Sequence, residues 1–406
     1  MRNCIVAQSG GPTSVINASF LGVLDENNKL NYYDNVYAGL NGIEGILAKK
    51  IVNLSEIPYH ELEGFKYTPA SGLGSCRYKM KDFNTNEEEY KKLIEIFKEY
   101  EIEAFFYIGG NDSMDTVKSL SSYAKEHNIA IKFIGIPKTI DNDLMYTDHT
   151  PGFGSAAKFI ATTVLECYLD SSVYSNNGIF IIEAMGRDAG WLTASSYLAK
   201  INGKPVADFI YLPEVAFSKE QFIKDVRNKF LEQNQVFIVA SEGIRDAEGH
   251  FLGEQKSSAA HDKFGHAQLG GVCNTLKELI IENSITSRVK TLELGVTQRC
   301  AMHCASNTDI EEAYMVGKKA LEYSNTDCSG DMVAIKRNSS CPYSSETFLI
   351  EASKVANNIK YFPTEWINKE GNNVTDAVTE YISPLIQGTP EIPLENGLPK
   401  FSVIKK

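Results

Sequence analysis

The chain has 406 residues, 43% of them hydrophobic, which is enough for two or three domains with substantial cores. Its net charge of −12 argues against a general nucleic-acid binder. No apolar run approaches the length of a membrane span and nothing at the N-terminus reads as a signal peptide, so a cytoplasmic protein without a membrane partner is expected.

In chain order, strand-like and helix-like segments alternate almost throughout. Ile5–Ala7 reads as a strand ending at Gly10-Gly11, followed by a helix over Ser14–Asp25. Asn84–Glu101 is charged and helical, a solvated face. Ala104–Ile108 is a buried strand that opens a helix from Ser113 to about His127. Ile131–Ile136 is the next strand, then a helix near Ser155–Tyr168 and a strand over Gly178–Glu183. A helix from Trp191 leads to the strand Asp208–Leu212. Lys219–Leu231 is an amphipathic helix, and Val236–Ala240 and Leu292–Gly295 are further strands. The last twenty residues read as a surface tail. Such alternation implies parallel sheets with helices on both faces. The eight scattered cysteines read as reduced thiols. Cys300, His303 and Cys304 lie close together, but two thiols and one imidazole without a second half make a poor zinc signature, and packing is the expected role.

In parallel sheets ligands bind beyond the carboxyl ends of the strands. Here those ends carry Gly10-Gly11, Gly109–Ser113, Pro137–Asp143, Met185-Gly186-Arg187, Pro213-Glu214 and Ser241-Glu242-Gly243. Gly10-Gly11 and Gly109-Gly110 each stand between a strand and a helix, where backbone N–H groups and the helix N-terminus favour a phosphate; a plain turn is the competing reading. Asp112, directly after the second pair, repels a polyphosphate. It therefore holds Mg²⁺, excludes a ligand, or simply caps the helix. Asp141 and Asp143 are two apart on one loop: one can accept the proton of an attacking hydroxyl while the other supports metal or loop geometry. Lys138 can offset charge on a transferring phosphoryl group, and Arg187 and Arg299 offer forked donors to phosphate oxygens. Glu242 can accept bonds from sugar hydroxyls. Ser71–Arg77 is a polar loop ending in an arginine. A phosphate cradle beside a lysine and an aspartate base is equipment for moving a phosphoryl group to an alcohol.

With these motifs in this order, together with Gly74–Arg77 and Leu294–Arg299, the chain resembles the phosphofructokinase family over at least Cys4 to Tyr323. The resemblance implies two Rossmann-like three-layer α/β/α domains with mostly parallel sheets. Residues 1–150 with about 298–345 are expected to bind the donor, and about 151–297 with 346–406 the sugar phosphate. Within the family, Asp at position 112 and Lys at position 138 mark users of pyrophosphate, whereas users of ATP carry glycine at both. The implied reaction is reversible phosphorylation of fructose 6-phosphate at its 1-hydroxyl by pyrophosphate.

Carried over residue by residue, Asp141 is the implied base, with Lys138 and Arg187 completing the catalytic set. Gly11, Arg77, Gly110, Asp112, Ser113 and Lys138 are implied donor contacts. Thr139, Asp141, Met185, Gly186, Arg187, Glu242 and Arg299 are implied contacts of the sugar phosphate. Asn111, Asp112 and Asp143 are the expected ligands of Mg²⁺, the expected cofactor.

Four departures from the family pattern stand out. Asn111 replaces an acidic metal ligand, Cys300-Ala301 replaces a glycine pair, Val296 replaces a polar ring, and no arginine stands near Gly178. Family resemblance makes Arg288 and Lys290 the candidates for a cation supplied to a neighbouring subunit, and so implies a homodimer or homotetramer. The alternatives are an ATP-dependent sugar-phosphate kinase and a catalytically silent regulatory subunit.

Overall fold

The apolar runs fold as interior strands. A computed structural model describes residues 2–174, 178–253 and 269–404. In chain order its strands are β1 (Asn3–Gln8), β2 (Asn35–Gly39), β3 (Ile51–Asn53), β4 (Ile102–Gly109), β5 (Lys132–Pro137), β6 (Ile179–Ala184), the short pair β7 (Lys200–Ile201) and β8 (Lys204–Pro205), β9 (Phe209–Tyr211), β10 (Val236–Ser241), β11 (Val289–Glu293), β12 (Asp331–Ser340), β13 (Tyr343–Glu351) and the short pair β14 (Leu394–Glu395) and β15 (Leu398–Pro399). Seven of them form one sheet in the order β13-β12-β5-β4-β1-β2-β3, and four form another in the order β11-β6-β10-β9. The second sheet is parallel throughout, and the first is parallel except at its two edges.

The chain divides into two units. One comprises Met1–Ser155, Arg299–Ile359 and Gln387–Lys406, and the other Ala156–Gln298 and Lys360–Ile386. The first unit thus takes 346–359 and 387–404, which the sequence reading gave to the second. The physical reason is strand pairing: β13 runs antiparallel along β12, so the chain stays with the first sheet through Glu351. Near the end, the Ser402 N–H donates to the Thr68 hydroxyl at 3.0 Å.

In the first unit, successive residues of β1 feed opposite cores, as a strand buried on both faces must. Cys4 and Val6 pack with Phe20, Leu24, Val316 and Leu321 of the helices Ile16–Leu30 and Asn307–Ser324. Ile5 and Ala7 pack with Leu93, Phe97, Val117 and Leu120 of the helices Glu87–Glu99 and Asn111–Glu126. This is the expected α/β/α layering. The charged 84–101 stretch is more than a solvated face: Tyr90, Leu93, Ile94 and Phe97, at helical spacing, are buried. In the second unit, Ile179, Ile181, Val236 and Ile238 pack with Phe222 and Val226 of the helix Lys219–Gln233 and with Leu276 and Ile280 of the helix Val272–Glu282. The segment after Trp191 is shorter than a full helix. It is one α-turn, Trp191–Ala194, followed by a 3-10 turn to Leu198.

The Ile16–Leu30 and Asn307–Ser324 helices meet at glycines. A Cβ on Gly22 would stand 2.2 Å from the Tyr314 carbonyl oxygen, and one on Gly317 would stand 1.9 Å from that of Ser19. Backbone has no room to retreat there without separating the helices. Gly317→Val is expected to lower stability by about 1–3 kcal/mol or more through this overpacking. A reduced Tm in thermal unfolding checks it, and an unchanged Tm contradicts it.

Candidate active site

Three adjacent parallel strands of the first unit, β1, β4 and β5, end side by side, and their carboxyl ends carry the predicted residues. Backbone bonds join them beyond the ladder: Ser9 N–H to the Ile108 carbonyl at 2.9 Å, and Lys138 N–H to the Gly109 carbonyl at 2.9 Å. The Ser9 and Ser113 hydroxyls lie 2.5 Å apart. Gly109 has to be glycine, because a Cβ would fall 1.9 Å from Ser113 Oγ. Gly110 then caps the Asn111–Glu126 helix, placing Asp112 and Ser113 in its first turn. That helix therefore starts two residues before the sequence reading placed it.

Lys138 is the centre of this cluster. Its side chain is 2% exposed, and its ammonium donates to the Gly11 carbonyl at 2.6 Å. A Cβ on Gly10, whose φ is +74°, would sit 3.3 Å from that ammonium, so the glycine here answers both a backbone and a space requirement. Burial pushes the Lys138 pKa down to about 8. Asp141 and Asp143 oppose that shift, and Arg299 and Arg77 add to it. Those four charges therefore surround the lysine. Arg299 was expected to hold a sugar phosphate. It lies in the first unit, with its Nη1 3.2 Å from where a Cβ on Gly11 would stand.

The loop after β5 is folded back on itself. Thr139 N–H donates to the Pro151 carbonyl at 3.2 Å, and the Thr150 hydroxyl donates to the Thr139 carbonyl at 3.0 Å. Asn142 is fully buried at φ +54°, and its side-chain oxygen accepts from Thr150 N–H at 3.1 Å. Asp141 N–H donates to the Thr139 hydroxyl at 3.1 Å. This ties down the backbone on either side of Asp141.

Asn111, expected as a metal ligand, is bonded to a distant turn. Its side-chain oxygen accepts from Asn357 N–H at 2.5 Å, and its amide nitrogen donates to the Asn358 carbonyl at 2.5 Å. The carboxamide is committed to the turn at 357–358. Sequence reasoning missed this partner because it lies nearly 250 residues away.

In the second unit, β6 ends at Met185-Gly186-Arg187 and β10 at Ser241-Glu242-Gly243. The two ends touch through backbone. The Ser241 hydroxyl donates to the Gly186 carbonyl at 2.6 Å, and a Cβ on Gly243 would stand 2.0 Å from the Arg187 carbonyl oxygen. Met185 N–H is held by the Gln298 side-chain oxygen at 3.1 Å. Glu214 does not reach outward. Its buried carboxylate accepts from the N–H groups of Gly190 and Phe362, both at 2.9 Å, and so fixes the turn after Arg187.

Arg288 and Lys290 are not brought to this end. They start β11, whose Val289 pairs with Ile179 at the amino end of β6. There they line a small open pocket with Gln235 and Tyr174, whose ring lies 5.2 Å from the Arg288 guanidinium. β11 also ends earlier than expected, at Glu293.

None of the eight cysteines is in a disulfide. Among the described residues, Glu183, Cys273 and Glu293 form the one group of three candidate ligand atoms within 4.8 Å of one another, rather than Cys300, His303 and Cys304. Glu183 already accepts from the N–H groups of Gly271 and Cys273, which makes it a cap for the Val272–Glu282 helix. No described helix is long and apolar enough to cross a membrane.

Glycine-rich and charged strand ends, a buried lysine and paired carboxylates thus stand in an α/β frame. A family model described as phosphofructokinase matches residues 3–323, and the chain belongs to that family. It is similar to the pyrophosphate–fructose 6-phosphate 1-phosphotransferase of Methylococcus capsulatus, at 40% identity over 403 residues, covering 98% of this chain and 95% of the relative. The enzyme of the same name from Halomonas elongata is 39% identical over 408 residues, covering 100% and 96%. The crystal structure of the pyrophosphate-dependent phosphofructokinase from Nitrosospira multiformis matches with a TM-score of 0.88 at 35% identity, covering 100% of this chain and 98% of that one.

Proposed function

We propose that the chain transfers a phosphoryl group reversibly between pyrophosphate and the 1-hydroxyl of fructose 6-phosphate. The observation that carries the reading is Lys138, a cation sealed among strand ends with Asp141 beside it. In the forward direction the hydroxyl oxygen attacks one phosphorus of pyrophosphate. The bridging P–O bond breaks, orthophosphate leaves, and the hydroxyl proton passes to Asp141. Lys138 offsets the charge on the transferring group, and it does so strongly because water is excluded from its ammonium. Gly11, Gly110 and Ser113 offer the donor a helix start and backbone N–H groups, and Arg77 adds a cation. Arg299, placed beside Gly11, contributes positive charge to the same cluster. Arg187 supplies forked donors to phosphate oxygens, Met185 and Gly186 shape the sugar contact, and Glu242 accepts its hydroxyls.

The first unit's residues fit Mg²⁺. This ion binds through one or two carboxylates and takes its remaining ligands from phosphate and water, so no closed protein cage is required. Asp112 and Asp143 would hold it. With Asn111 engaged by the 357–358 turn, the ligand set rests on carboxylates alone. When bound, the ion neutralises pyrophosphate charge.

With Mg²⁺ and fructose 6-phosphate, activity is expected with pyrophosphate and at least tenfold less with ATP at equal concentration, and excess EDTA is expected to abolish it. Comparable rates with ATP would overturn the donor reading, and full activity in EDTA would overturn the metal reading.

Asp141→Asn is expected to lower kcat by about 10²–10⁴-fold with the fold intact. A folded variant with near-normal turnover would remove Asp141 as the base.

Arg288 and Lys290 stand at the amino end of a parallel sheet whose carboxyl end carries Arg187 and Glu242, about 16 Å away for a five-residue strand. Within one copy they do not join those residues, which supports a neighbour-completed site and a closed homo-oligomer. Sedimentation is expected to show a dimer or tetramer. A monomer retaining full activity on dilution would refute the assembly.

A further inference from the structure

The segment that closes the Asp141 loop holds a buried histidine that the reaction as described does not use. His149 is 1% exposed. Its Nδ1 lies 2.8 Å from Asp148 Oδ1 and its Nε2 lies 2.5 Å from Glu312 Oε2. Both ring nitrogens face carboxylates, so both are donors, and the ring is an imidazolium. Further donors reach the same two carboxylates. Arg337 donates to Asp148 Oδ1 from Nε at 3.1 Å and from Nη2 at 2.9 Å. The Tyr343 and Ser345 hydroxyls both donate to Glu312 Oε1 at 2.6 Å.

The network joins three elements of the first unit: the loop after β5, the Asn307–Ser324 helix, and the β12–β13 ribbon. Glu312 does not act alone on the helix. One turn earlier, on the same face, the buried carboxylate of Asp309 accepts from Gly152 N–H at 2.8 Å and from Ser155 N–H at 2.9 Å. Two carboxylates three residues apart thus grip residues 149–155, and residues 150–152 in turn hold Thr139 and Asn142 on either side of Asp141.

We propose that His149 is a positioning residue for phosphoryl transfer, a buried cationic strut that sets the Asp141 loop against the Asn307–Ser324 helix. The inference rests on Asp141 being the base. Burial alone would favour the neutral ring, but Glu312 and Asp148 outweigh it and hold the His149 pKa up at about 9. A group whose folded pKa is raised stabilises fully below its ordinary value near 6.5, and that contribution is lost as pH rises through 9. The groups facing it are Asp148 on its own segment, Glu312 and Asp309 on the helix, and Arg337 and Tyr343 on the ribbon. With His149 charged, the two carboxylates bonded in this network, Asp148 and Glu312, meet two cations, His149 and Arg337. Without that charge the buried network carries an excess negative charge.

His149→Gln removes the cation and leaves one carboxylate short of a donor. Because a base acts in the transition state, a displaced loop lowers kcat and leaves KM for both substrates within a few-fold. The expected loss in kcat is roughly 10- to 100-fold, the scale of a small misplacement of a reacting group. The double variant His149→Gln/Glu312→Gln, which pairs two neutral amides, is expected to recover thermal stability relative to the single one. Arg337→Gln, at the outer end of the network, is expected to lower kcat in the same direction by less, and it serves if His149→Gln does not fold. Asp141→Asn run alongside separates the two claims. Should it keep turnover, the base assignment falls. Should it lose turnover while folded His149→Gln or Arg337→Gln keeps kcat within twofold, the positioning role of His149 is overturned, and a lowered Tm alone does not rescue it.

Discussion

The first unit is organised around one unfavourable burial. An ammonium that is 2% exposed has given up its water, and its pKa falls accordingly. It is tolerated because the Gly11 carbonyl accepts from it and two carboxylates lie within electrostatic reach. Each compensation constrains other residues. Gly10 has to turn through positive φ and leave room for the ammonium, and Gly109 has to let Ser113 come within reach of Ser9. Three strand ends have to lie level, which parallel pairing of β1, β4 and β5 achieves. A dry cation is costly at rest, but it interacts with a developing phosphoryl charge far more strongly than a hydrated one.

The second unit solves a different problem with the same topology. Its glycines at the strand ends serve close backbone approach. They allow two backbone turns to touch, Gly243 against Arg187 and Gly186 under Ser241. Side chains on those turns then project from a rigid base, with Glu214 and Gln298 pinning the turns from behind. Because every strand of this sheet runs the same way, residues at its two ends cannot converge. Arg288 and Lys290 are excluded from the Arg187 end by strand direction alone.

Much of this was legible in the sequence because parallel strands are written as unbroken apolar runs and end in glycine-rich or charged turns. β1, β4, β5, β6 and β10 and the residues after them stand out for that reason. The β12–β13 ribbon did not. Only its first half is buried, where β12 pairs with β5, and the remainder alternates between exposed and half-buried positions. Its sequence, Lys336–Ser340 and Tyr343–Glu346, reads as loop. β2 and β3 are short and carry little signal. Partners far apart in the chain were also invisible: Glu312 for His149, Asp309 for the turn at Gly152, and the 357–358 turn for Asn111. No local pattern marks a carboxylate on a helix as the holder of a loop that precedes it by more than 150 residues.

Asn111 shows how such a hidden partner changes the chemistry expected at a position. Read locally, an amide in place of an acid looks like a weakened metal ligand. In the structure the amide serves as both donor and acceptor at once, giving N–H groups to the Asn358 and Val355 carbonyls while taking one from Asn357. A carboxylate can make only the last of these bonds, and it would face two carbonyl oxygens with negative charge. Asparagine is therefore the side chain that lets the segment after β13 close over the start of the Asn111–Glu126 helix. The negative charge that the buried Lys138 ammonium requires is then left to Asp141 and Asp143 on the loop after β5.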